Sequence, residues 1–161
     1  MARVADHAVS ATAQAATEVD MDRAEQAGLF VLSAQCASVA ALCEGAATKD
    51  RQGCRALDES VVTVGRVVEE ALVTAYDDRG ASPLATHVRP LIYRVALELD
   101  RQGSGTVPEL LAALAWALQE LTWACHESSE PCTDFASRYV RAASVLRRIS
   151  ELLLAEARDV R

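Results

Sequence analysis

The sequence predicts an all-α fold, an up-and-down antiparallel helical bundle of about five long helices plus a weaker N-terminal helix. Three observations carry this. Apolar residues recur at steps of three and four along most of the 161 residues, the period of a half-buried helix. Strand signals are nearly absent, because the one β-branched cluster, Val61-Val62-Thr63-Val64, sits inside a longer helical period. The connections between periodic stretches are two to eight residues long, which makes successive helices antiparallel neighbours.

The leading stretch, about Val4 to Glu18, is Ala-rich with few large side chains. Its helix propensity is good and its apolar surface small, so a frayed or docking helix is expected over residues 1–19. Asp20 or Asp22 would cap a second helix running to Gly45, a left-handed stop, after which AATKDRQG forms a polar connection. The third helix, Cys54 to Asp78, has the clearest register: Leu57, Val61, Val64, Val68, Ala71 and Ala75 follow alternating steps of four and three. Val62, Val67 and Leu72 widen that stripe, so the helix packs on more than one side. Gly65 beside it costs about 1 kcal/mol against Ala, which a close helix crossing or mere sequence drift would explain.

Ser82-Pro83 reads as a cap followed by a first-turn proline. The stripe Leu84, Val88, Leu91, Val95, Leu99 is interrupted by Pro90, where the helix either kinks or starts anew. Gln102-Gly103-Ser104-Gly105 is a turn, and Thr106-Val107-Pro108-Glu109 a capping box opening a helix with the stripe Val107, Leu111, Leu114, Leu118, Leu121, Cys125. The last helix repeats the register with Phe135, Tyr139, Ala142, Leu146, Ile149 and Leu153. No repeat and no Gly/Ser-rich linker divides the chain, so residues 1–161 are expected to form a single domain.

Composition bounds the function. Hydrophobic types make up 51% and charged types 24%, with 7 Gly and 4 Pro, which excludes a disordered or collagen-like chain. The formal net charge of −7 lacks the basic footprint of a phosphate-backbone binder, so no nucleic-acid partner is expected. The N-terminus has no apolar run before a small-residue cleavage site, and five cysteines are an odd number. Reduced thiols and a cytoplasmic location follow. The run GLFVLSAQCASVAALC approaches the ~20 residues of a membrane span, but Gln26, Ser33, Gln35 and Ser38 interrupt it and no basic or aromatic flank frames it. A buried helix, and no membrane partner, is the reading.

Catalytic and metal motifs are missing. Cys36 and Cys43 share a helix face but lie two turns apart, about 10 Å, too far for one metal. Cys125, His126 and Cys132 cluster around a turn, which Cys54 could join, without a recognised ligand spacing. A di-iron bundle needs Glu three residues before His, whereas Val4, Leu84 and Trp123 precede His7, His87 and His126. Nucleotide loops, G-x-S-x-G and H-E-x-x-H are absent. Glu69-Glu70 and Asp77-Asp78 point about 100° apart on a helix, so neither is a catalytic dyad. No metal, cofactor or catalytic residue is assigned. Arg138, Arg141, Arg147 and Arg148 form a basic side of the last helix, with Asp134 and Glu151 at ion-pair spacing.

The expected function is therefore non-enzymatic: a helical bundle acting through protein–protein association, as a homodimer or with another protein partner. Excess apolar surface on the third and last helices, including the run Leu152, Leu153, Leu154, motivates it. The alternative is a small-molecule-binding bundle. Its pocket would be formed by His87, Tyr93 and Arg94 around the Pro90 disturbance, with Trp116 and Trp123, seven apart on the next helix.

Overall fold

A computed structural model of the chain describes residues 2–48, 59–73, 82–127 and 135–159, with side chains over 23–48, 59–73, 82–124 and 135–159. Every element among them is a helix: α1 (Ala2–Ala47), α2 (Glu59–Val73), α3 (Pro83–Arg101), α4 (Val107–Glu127) and α5 (Ala136–Asp159). The all-α bundle expected from the periodicity is what forms, and its core joins buried residues of all five helices.

The first correction concerns α1. The leading helix and its successor are one uninterrupted rod of 46 residues, about 69 Å long at 1.5 Å per residue. Asp20 and Asp22 start nothing, because no Gly or Pro breaks the chain before them and an Asp inside a helix costs only about 0.7 kcal/mol against Ala. Gly45 is likewise helical rather than a left-handed stop. The end comes at Thr48, whose hydroxyl lies 3.1 and 3.2 Å from the carbonyls of Glu44 and Gly45.

α1 and α5 pair antiparallel and close. Gln26 Nε2 donates to the carbonyl of Ala157 at 2.5 Å. Ser33 Oγ donates to the carbonyl of Ser150, and Ser150 Oγ to that of Ser33, both at 2.8 Å. A hydroxyl reaches a backbone carbonyl on a neighbouring helix only where the backbones approach closely, and the sequence permits it. Ser33, Ala40 and Ala47 on α1, and Ala136, Ala143, Ser150 and Ala157 on α5, recur every seven residues, one small side chain per two turns on each facing stripe. The exchange also satisfies Ser33, the buried polar residue of the described core at 4% exposure.

The start and end of α3 and the start of α4 follow their sequences. Ser82 caps α3, its hydroxyl accepting from the Ala85 amide at 3.2 Å, with Pro83 in the first turn. α3 then continues through Pro90 to Arg101, neither ending nor restarting there. Both Pro90 and Thr86, whose carbonyl loses its donor, are exposed, so water can replace the missing bond. At the C-terminus of α3 the Ser104 amide donates to Leu99 and the Gly103 amide to Asp100, both at 3.0 Å. This is a Schellman cap with Gly103 at φ 80°. The capping box follows: the Glu109 amide donates to Thr106 Oγ1 at 3.3 Å and the Thr106 amide to Glu109 Oε2 at 3.4 Å.

The buried stripes match in most positions. Val61, Val64, Val67, Val68 and Ala71 of α2 are buried, as are Val88, Leu91, Ile92, Val95, Ala96 and Leu99 of α3. On α5 the stripe from Tyr139 to Leu153 is buried, while Phe135 stays 44% exposed. On α4 the buried face is rotated toward Leu110, Ala113, Ala117 and Ala124, leaving Val107 and Leu111 half-buried. Leu57, Ala75 and the rest of the expected third helix outside Glu59–Val73 lie outside the described residues.

Two placements set up the site. Passing back along α5 from Glu156 to Phe135, the partners are His87 and Glu98 of α3, then Glu109 and Trp116 of α4. α3 and α4 thus follow one another along α5. α2 packs on α1, α3 and α4, and Arg89 Nε of α3 donates to the Ala71 carbonyl in the last turn of α2 at 2.9 Å.

Candidate functional site

An apolar groove runs between α2 and α4. Its α2 wall is Val62, Gly65, Arg66, Val68, Glu69, Leu72 and Val73, and its α4 wall Ala115, Leu118, Gln119, Thr122 and Trp123; it encloses about 730 Å³. Glycine brings the walls together at the floor. A Cβ on Gly65 would stand 3.4 Å from Thr122 Oγ1, and that hydroxyl is turned back onto the Leu118 carbonyl at 2.6 Å. Gly65 thus sits where α2 and α4 approach one another.

The rims are apolar and open. Val62 is 44% exposed, Val73 70% and Trp123 54%. Trp116 is level with the first turn of α5, and Trp123 lies two turns, about 10 Å, further along α4, past the described start of that helix. α2 is the described helix left beside it.

The five residues expected to surround one ligand are spread over four places. Trp123 lines the groove. Trp116 is half-buried between Phe135 and Tyr139, edge-to-face with centroids at 5.2 and 5.1 Å. His87 Nε2 meets Glu156 Oε2 at 2.5 Å on the α3–α5 side. Tyr93 and Arg94 of α3 are exposed to water. Of the residues lining the groove, sequence reasoning assigned only Trp123 to a site; Arg66, Glu69 and Val73 of α2 and Thr122 of α4 are among those it did not. The signal for the α2 residues was the second stripe of that helix, beside the buried one.

The basic side of α5 is occupied by contacts to its neighbours. Arg138 lies over the rings of Trp116 and Phe135, 5.1 and 4.6 Å from their centroids. Arg141 pairs with Glu109 at 3.5 Å, and Arg148 with Glu98 at 3.2 Å and Glu151 at 2.9 Å. Arg147 is bidentate on Glu44, at 2.5 and 2.8 Å. That hydrogen bonding holds the Glu44 carboxyl below its usual range and raises Arg147. Asp134, the expected partner of Arg138, lies outside the described residues.

Cys36 and Cys43 face the core, and burial pushes both thiols up to about 12. Cys54 and Cys132, and the side chains of Cys125 and His126, fall outside the described residues. Among the described residues no three His, Cys, Asp or Glu side chains gather as metal ligands. The segment Arg23–Ala47 of α1 is long and apolar enough to cross a bilayer, with a mean hydropathy of 1.5, and 44% of its apolar window is buried within the bundle.

Fold and groove together define a class, an all-α helical bundle with one long antiparallel pair and an open apolar trough. No protein-family model matches the chain, and no curated protein or solved structure is similar to it.

Proposed function

We propose that this chain is a non-enzymatic, cytoplasmic association module that pairs with a second copy of itself. The observation that carries the reading is the groove between α2 and α4, where Val62 and Val73 are exposed on the α2 wall and Trp123 on the α4 wall. Exposed apolar side chains cost free energy in water, and a protein surface that covers them recovers about 25 cal/mol per Å². An exposed tryptophan is the residue type most enriched where binding energy concentrates. The buried thiols of Cys36 and Cys43 suit a reducing compartment.

Sedimentation velocity of the full chain at micromolar concentration is the test. A species of about twice 17.2 kDa is expected, and a strict monomer overturns the reading. The volume of the groove supports a second reading, since about 730 Å³ lies within the roughly 300–1,000 Å³ of small-molecule sites. An apolar ligand there would alter Trp123 emission in a monomer, whereas pairing alters it with protein concentration.

A further inference from the structure

We infer that the second copy docks with its α2 antiparallel to α2 of the first, about a two-fold axis passing between Arg66 and Glu69. This deepens the self-association proposed above and rests on it. Val62, Arg66, Glu69 and Val73 follow steps of four, three and four, so they form one ridge along α2. All four are exposed and all four line the groove.

The order along that ridge is apolar, positive, negative, apolar, and it is its own complement when reversed. With the axis between Arg66 and Glu69, each Arg66 faces Glu69 of the other copy, and each Val62 faces Val73. A two-fold contact uses the same patch twice, and this patch satisfies that requirement in charge and in hydrophobicity. A parallel arrangement would set Arg66 against Arg66 and Glu69 against Glu69, so the charges select the antiparallel one.

The two charges are available for the purpose. Among the described residues neither Arg66 nor Glu69 closes an ion pair. Glu70, four residues on from Arg66, feels its charge but directs its hydrogen bonding to Ser82, accepting from that amide at 3.2 Å. A stable dimer hides upward of about 1,000 Å² in total. The α4 wall with Trp123 extends the contact beside the ridge, covering that indole with the incoming α2.

The experiment is a charge-swap cycle on the full chain: Arg66→Glu, Glu69→Arg and the double variant, with dimer dissociation constants from sedimentation equilibrium. Each single swap creates two like-charge contacts by symmetry, and a weakening of roughly tenfold or more is expected. The double swap restores complementarity and should return to within about threefold of the original constant, since only the direction of the pair is reversed. Trp123 emission should shift to the red on dilution of the unmodified protein, and Trp123→Phe should abolish that shift. Val73→Glu, at a 70% exposed position, offers a second break of the seam should a charge swap disturb folding, monitored by circular dichroism. Single swaps that dimerise like the parent, or a double swap that fails to recover, overturn the seam while leaving association standing. A parent chain that is monomeric overturns both.

Discussion

Cys36 and Cys43 lie on the core side of α1, 3% and 0% exposed, with their thiols raised to about 12 by burial. A thiol that high holds almost no thiolate at neutral pH, and thiolate is the reactive form. The Cys36→Ala/Cys43→Ala variant should therefore take up as much iodoacetamide as the parent in the native state at pH 8. It should take up two equivalents fewer after unfolding, counted by mass spectrometry. Glu44 makes a pH-dependent contribution. Its carboxyl is held below 4.5 by the Arg147 hydrogen bonds, so the stability it adds is present above about pH 4.5 and is lost as pH falls through the lowered value. Thermal melts of Glu44→Gln and the parent should differ at pH 7 and converge as the pH falls through that lowered value. Gly105 sits at φ 146°, a backbone conformation that a side chain strains, and a Cβ there would also press on Arg141 Nε at 3.3 Å. Gly105→Ala should lower stability by about 1 kcal/mol or more in urea titrations.

At the scale of the element, the closeness of α1 and α5 depends on small residues. Ala143, 3% exposed, is level with Ala40 in the register set by Ser33 and Ser150. Ala143→Leu inserts three carbons where two backbones nearly meet, and overpacking of this kind costs about 1–3 kcal/mol. A lower urea midpoint with an unchanged m-value is the expected result. Helix identity and most of the buried stripes were legible in the sequence because both are local. Ser82-Pro83, Gly103 and the Thr106–Glu109 box act within one turn of themselves. The break at Asp20 was read wrongly because an Asp that would make a good cap is also tolerated in a continuing helix. Trp116 and Trp123 illustrate the limit on the site. Seven residues apart, they share a face of α4, but sequence spacing says nothing of where α5 begins along that face. Among the described residues one indole packs between Phe135 and Tyr139 and the other lines the groove beside α2. The groove joins α2 and α4, and neither helix carries a local sign of the other.

At the scale of the molecule, α5 packs on α1, α3 and α4, and its arginines reach each of them through Glu44, Glu98 and Glu109. Removing α5 should uncover the buried faces of all three. A chain ended before Ala136 is expected to bind an apolar dye and to precipitate at concentrations where the full chain stays soluble, as light scattering would show.

The reciprocal serine contact joins residues 117 positions apart, and that separation governs how the molecule must assemble. While the chain is being synthesised, the apolar window of α1 emerges long before the helix that covers it. Contacts between distant parts of a chain form slowly, so the nascent protein carries an uncovered greasy segment through most of its production.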